Sequence, residues 1–109
     1  MEFATAQQRV WDNKVAKGFN LTDVPLEFCL LQGEVAEAFD AWRRKEPHLG
    51  EELADVALYL LSLARMTGVD LGAEVERKLA INARRRYERD ESTGTLNRVV
   101  GEDASGWER

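Results

Sequence analysis

The chain has few of the residues that build most reactive sites. It holds one cysteine, Cys29, and one histidine, His48, in 109 residues. A single cysteine excludes an internal disulfide and any multi-cysteine zinc site. Cys29 lies between Phe28 and Leu30 and reads as a core thiol. A single histidine excludes a di-iron bundle built on two Glu-x-x-His motifs. His48 follows Pro47 just ahead of a helix start, where a cap or loop role is expected. No apolar run approaches the ~20 residues of a membrane-spanning helix. The first twenty residues hold no apolar stretch fit for a signal peptide. The expectation is a soluble cytoplasmic protein that engages no membrane. Positive charge is also scarce: 15 basic against 20 acidic residues give a net charge of −5. There is no basic face to drive nucleic-acid binding by counterion release.

A chain of this length is expected to form one domain. It buries roughly two thirds of the surface its unfolded form exposes. That supports one modest core, which association with a second copy would help.

Turn residues punctuate the remainder. Pro25 suits the first turn of a helix, with Thr22 or Asp23 near its cap. Pro47 and Gly50 break the next connection. Gly68 follows an apolar run as a helix C′ residue, and Asp70 suits the next N-cap. Four helices are expected, at residues 3–17, 24–45, 50–67 and 71–89. No segment alternates with a period of two, so no sheet is expected. Residues 90–109 differ in composition. Ser92-Thr93-Gly94-Thr95 signals a turn, Leu96 to Val100 suits a short extended segment, and the end is polar around Trp107. The expected organisation is a helical domain over 1–89 and a mostly irregular tail over 90–109 that either docks on a neighbouring subunit or is mobile.

Two acid pairs stand out: Glu34-Val-Ala-Glu37 and Glu52-Leu-Ala-Asp55. Each has i, i+3 spacing, so both acids of a pair share one side of a helix. Fourteen residues lie between the pairs, enough to end one helix, turn and start an antiparallel one. Four carboxylates facing each other repel unless a cation or protons neutralise them. All-oxygen donors favour Mg²⁺ or Mn²⁺ over zinc.

The second helix has an apolar stripe at Phe28, Leu31, Val35, Ala38 and Trp42, with Phe39 at its edge. Glu34 falls ~80° from the centre of that stripe, at the margin of the expected core. The third helix is apolar nearly all round, as a helix buried on more than one side would be. Asp55 projects from it on the row Asp55, Tyr59, Ser62, Met66. A carboxylate in such surroundings is costly unless paired or metal-bound. The fourth helix places Lys78, Asn82 and Arg85 at i, i+4 and i+7. Their donors and positive charge suit anionic oxygens, with Arg84 and Arg86 beside them.

In this order the motifs resemble the MazG-like family of all-α nucleoside triphosphate pyrophosphohydrolases. The resemblance covers residues ~10–87. It rests on Glu34-Val-Ala-Glu37, on Glu51-Glu52-Leu-Ala-Asp55-Val, on Gly68-Val-Asp-Leu, and on Lys78-Leu-Ala-Ile-Asn82-Ala-Arg-Arg85. Lys17-Gly18-Phe19 is similar to one branch of the family. That branch carries a His-Gly-Lys stretch after its Asn/Arg segment; here the tail has Ser92-Thr93-Gly94-Thr95 instead. The resemblance implies an all-α four-helix bundle assembled as a homodimer or a dimer of dimers. It implies hydrolysis of a dNTP or non-standard NTP to the monophosphate and pyrophosphate. It also implies Mg²⁺ held by Glu34, Glu37, Glu52 and Asp55, with Lys78, Asn82 and Arg85 on the phosphates or sugar.

The expected reaction is attack of water on the α-phosphorus, with Glu37 or Glu52 orienting or deprotonating the water. The base would stack on one of Trp11, Phe19, Trp42 or Tyr59. Three other readings share parts of this pattern: a phosphoribosyl-ATP pyrophosphohydrolase, a non-catalytic helical dimerisation module with a retained pocket, and an acidic metal buffer.

Overall fold

The computed structural model describes residues 1–100. Four helices come first: α1 (Phe3–Lys17), α2 (Val24–Arg43), α3 (Leu49–Met66) and α4 (Leu71–Arg84). Two short strands follow, β1 (Arg86–Arg89) and β2 (Leu96–Val99). The fold is mostly all-α, as expected. No single helix among the described residues is long and apolar enough to cross a membrane.

The helix ends follow the local chemistry. Gly18 closes α1 in the left-handed conformation at φ 73°, and the Phe19 amide donates to the Lys14 carbonyl. Asp23 caps α2, its carboxylate accepting from the Leu26 amide at 3.1 Å, with Pro25 in the first turn. Lys45 takes a left-handed φ of 55°. The Glu46 amide then donates to the Ala41 carbonyl at 2.8 Å, so α2 stops two residues before the expected 45. Gly68, at φ 73°, terminates α3 as foreseen, and the Val69 amide donates to the Ala64 carbonyl.

The chain divides into two compact units, Met1–Gly72 and Ala73 onward. In the first, α2 and α3 pack along their length and α1 lies on α3. The short α2–α3 connection makes that pair an antiparallel hairpin. On α2 the covered row is Glu27, Leu31, Glu34, Ala38 and Ala41. On α3 it includes Glu52, Asp55, Tyr59, Ser62 and Met66. Both rows advance by threes and fours, as a helix–helix seam requires.

The α2 stripe expected to form the core is mostly outside it. Phe28, Val35 and Trp42 are 48 %, 50 % and 63 % exposed, and Phe39 is exposed as well. Of that stripe Ala38 is buried and Leu31 half-buried. Small Ala38 and Ala41 are buried, and the large apolar side chains fall on the exposed flank. Trp42 stacks on Phe39 with ring centroids 6.1 Å apart. Periodicity finds an apolar stripe but not what covers it.

In the second unit the expected helix over 71–89 is too long, and the expectation of no sheet is wrong. The helix ends at Arg84, and Arg86–Arg89 pair antiparallel with Leu96–Val99, Arg86 opposite Val99 and Arg89 opposite Leu96. The intervening turn is built by Asp90. Its carboxylate accepts from the Ser92 amide and hydroxyl, and the Asp90 carbonyl accepts from the Gly94 amide at 2.7 Å. Gly94 has φ 74°, which favours glycine. The turn was visible in the sequence. Its first strand was not, because Arg86 to Arg89 continue the basic C-terminal pattern of a helix. Trp107 lies outside the described residues.

Candidate functional site

The α2–α3 seam brings three of the four predicted acids together. Glu34, Glu37 and Glu52 each offer a carboxylate oxygen, and these oxygens lie within 4.8 Å of one another. Asp55 falls outside that trio. It stands with Glu34 on the wall of an adjoining cavity, and its charge acts on Glu34.

Glu34 Oε2 and Glu52 Oε2 are buried and have no hydrogen-bond partner. A buried carboxylate oxygen left so is costly. The Glu34 carboxyl responds by being pushed up to about 7. The main cause is a hydrogen bond with Glu37. Burial adds to it, and so do the charges of Glu37, Asp55 and Glu52. Such a cluster needs protons or a cation. Oxygen-only donors, two of them with unused lone pairs, fit a hard divalent ion. A zinc-type set of nitrogen or sulfur ligands is missing among these residues.

His48 enters this region in a way its place in the sequence did not announce. It occupies the α3 N-cap but makes no side-chain cap bond. Its Nε2 lies 3.6 Å from Glu52 Oε1 and its Nδ1 lies 3.4 Å from Glu46 Oε2. It therefore sits beside one oxygen of Glu52 and leaves Oε2 to the cluster.

The cavity has a volume of about 900 Å³ and lies within the first unit, between α1 and the α2–α3 pair. Glu34 and Asp55 mark one region of its wall, and Lys14, Glu27 and Ser62 mark another. Glu27 precedes Glu34 by seven residues, and Ser62 follows Asp55 by seven. Two helical turns, about 10 Å, separate the polar centres along each helix.

The second centre went unrecognised in the sequence, apart from Ser62 on the Asp55 row. Lys14 Nζ donates to Glu27 Oε2 at 2.8 Å and to Ser62 Oγ at 2.6 Å. Ser62 Oγ donates to the same Glu27 oxygen at 2.6 Å, and Asn20 Nδ2 donates to Glu27 Oε1 at 3.2 Å. Glu27 is 1 % exposed. Burial by itself raises its carboxyl, but hydrogen bonds from Lys14, Ser62 and Asn20 outweigh that and hold it below the ordinary range. The one available signal was Glu27 itself, an acid on the Glu34 face flanked by Leu26 and Phe28.

Tyr59 lies between the two centres on α3 and lines the cavity. Burial raises its phenol, and the charges of Glu34, Glu27, Asp55 and Glu37 raise it further, so it stays a proton donor. Of the four aromatics named as base platforms, Phe19 and Tyr59 line the cavity. Trp11 is engaged elsewhere, with the Arg65 guanidinium 4.9 Å from its ring centroid, and Trp42 stacks on Phe39.

The residues predicted to contact phosphate or sugar belong to the second unit. Lys78 and Asn82 lie on α4, and Arg85 is just beyond its end. Arg85 Nη1 donates to Asn82 Oδ1 at 3.1 Å, which keeps these two side chains together although the helix has stopped.

No family model matches the chain, and no solved structure matches it. Over 49 residues, 45% of its length, the chain is 45% identical to a "dATP/dGTP diphosphohydrolase" of Salmonella phage PMBT28. It spans 17% of the length of that protein. What the chain resembles is therefore one segment of a longer nucleotide diphosphohydrolase.

Proposed function

We propose that this chain is a divalent-metal-dependent nucleoside triphosphate pyrophosphohydrolase. It would convert a dNTP or non-standard NTP to the monophosphate and pyrophosphate. The observation that carries this reading is the pair of buried, unpartnered oxygens on Glu34 and Glu52, in an acid cluster beside a cavity of about 900 Å³. A cavity of that size suits a nucleotide. The name of the phage relative agrees in reaction class.

Glu34, Glu37, Glu52 and Asp55 would hold Mg²⁺ or Mn²⁺. The ion would supply charge neutralisation for the triphosphate and acidify water. Glu37 or Glu52 takes the water proton as the water oxygen bonds to the α-phosphorus. The α–β anhydride bond then breaks and pyrophosphate leaves. The Tyr59 hydroxyl, kept protonated, donates to substrate oxygen. By the motif match, Lys78, Asn82 and Arg85 are the proposed contacts to phosphate or sugar.

Self-association belongs to the same proposal. Phe28, Val35, Phe39 and Trp42 on α2, with Leu53 and Leu60 on α3, are exposed. Six apolar residues are buried among those described, three of them alanine. An apolar face left open over so small a core suits a second copy of the chain, as a homodimer or homotetramer.

The test is a panel of dNTPs, NTPs and phosphoribosyl-ATP with Mg²⁺, scoring monophosphate and pyrophosphate. Pyrophosphate release from a dNTP or NTP supports the reading. Orthophosphate release instead, or no turnover with any nucleotide, rejects it.

A further inference from the structure

The reaction above gives His48 no part, yet His48 stands at the turn between the two helices that carry the acids. Lys45 reverses the chain at φ 55°, Pro47 restricts the backbone that follows, and His48 takes the α3 N-cap. An N-cap side chain ordinarily bonds the first amides of its own helix. His48 makes no such bond. Its ring lies between two carboxylates instead, with Nδ1 3.4 Å from Glu46 Oε2 and Nε2 3.6 Å from Glu52 Oε1. The backbone supports both contacts. The Glu46 amide donates to the Ala41 carbonyl at 2.8 Å, and the Glu52 amide donates to the His48 carbonyl at 3.2 Å. Both ring contacts are a few tenths of an ångström longer than a formed hydrogen bond, a gap that a small side-chain rotation closes.

The two oxygens of Glu52 have opposite surroundings. Oε1 faces the His48 ring. Oε2 is buried at the acid cluster without a hydrogen-bond partner. A carboxylate that ligates a hard cation through one oxygen leaves the other for a donor, and that donor fixes the orientation of the ligand.

We propose that His48 is a positioning residue for the metal. It takes Oε1 of Glu52, so that Oε2 is presented to the ion. This rests on the metal-binding reading of the cluster and deepens it. The imidazole has an N–H to offer in either protonation state, so the role lies in where the ring stands. Glu46 holds the ring from its other side, and its part in the site passes through His48.

The experiment measures Mn²⁺ binding to the full chain without nucleotide, at one pH, from the electron paramagnetic resonance signal of the free ion. His48→Ala and His48→Leu have no donor, and each is expected to weaken Mn²⁺ binding about 10- to 100-fold. His48→Gln keeps an N–H donor and is expected to recover most of that loss. The His48 side chain is 40% exposed, so these changes leave the core in place, and urea midpoints check it. Wild-type affinity in His48→Ala and His48→Leu overturns the assignment. So does a loss in His48→Gln equal to theirs, because the donor would then not be the cause. Either result leaves the metal reading standing. A wild-type chain that binds no Mn²⁺ overturns both.

Discussion

Glu34 and Glu52 face each other across the α2–α3 seam, each with a buried oxygen that no hydrogen bond satisfies. Two like charges held in this way are a liability to the metal-free fold and an asset to a metal-bound one. Glu52→Gln and Asp55→Asn are therefore expected to lower turnover at least about 100-fold while far-UV helicity is kept. Undiminished activity in either variant rejects the assigned roles.

The pH dependence of stability has a definite sign. The Glu34 carboxyl is raised from 4.5 to about 7 in the folded chain, so between those values the folded state binds more protons than the unfolded state. The metal-free protein is expected to be most stable below pH 4.5 as far as this group is concerned, and to lose that stability as pH rises through 7. Protons and metal compete for the same oxygens, so Mg²⁺ should bind more tightly at pH 8 than at pH 6. Denaturant midpoints with and without Mg²⁺ check this, and Glu34→Gln should flatten the metal-free profile.

Lys14 and Glu27 form a buried ion pair at 2.8 Å. Lys14→Met leaves the Glu27 carboxylate without its counter-charge and is expected to cost about 3–5 kcal/mol. Lys14→Met combined with Glu27→Leu should recover much of the loss, because it removes the stranded charge. Urea unfolding of the two variants distinguishes these outcomes. Equal destabilisation by the single and the double change would show that packing, and not the charge, dominates.

Trp42 and Phe39 present a stacked aromatic pair on an open flank of α2. If that flank is where copies meet, Trp42→Asp should weaken self-association by about 2 kcal/mol or more, a roughly 30-fold change. Sedimentation velocity over a dilution series reads this directly. A chain that is monomeric at high concentration before any substitution rules the interface out.

Lys78→Ala and Arg85→Ala should raise KM for the triphosphate more than they lower kcat, as expected where phosphate contacts hold the ground state and transition state alike. Steady-state kinetics with one dNTP separates this from a structural role. A fall in both kcat and helicity would point to α4 folding instead.

Much of this fold was readable because it is local. Pro25, Gly18 and Gly68 act within a few residues, and all three mark helix ends where they stand. The acid pairs were readable for the same reason, since i, i+3 spacing fixes a shared side. The β1–β2 hairpin was half readable: Asp90 to Thr95 announce a turn, while Arg86 to Arg89 have no apolar alternation to announce a strand. The Lys14–Glu27–Ser62 network was least readable. Its members are 13 and 35 residues apart, and nothing in a local window ties a lysine on one helix to a serine two helices later. The α2 stripe was read as core, but Ala38 alone of its members is buried while Phe28, Val35 and Trp42 are exposed, because periodicity does not say which apolar side packs.

The seam meets buried negative charge twice, two helical turns apart, and answers it differently each time. At Glu27 the chain owns its counter-ion: Lys14 is built in, and the charge is settled when the protein folds. At Glu34 and Glu52 one buried oxygen of each carboxylate has no hydrogen-bond partner among the described residues, so its compensation is left to something that arrives from solution. The first arrangement is permanent and the second is exchangeable, and only an exchangeable one can be loaded together with an anion and released with its products.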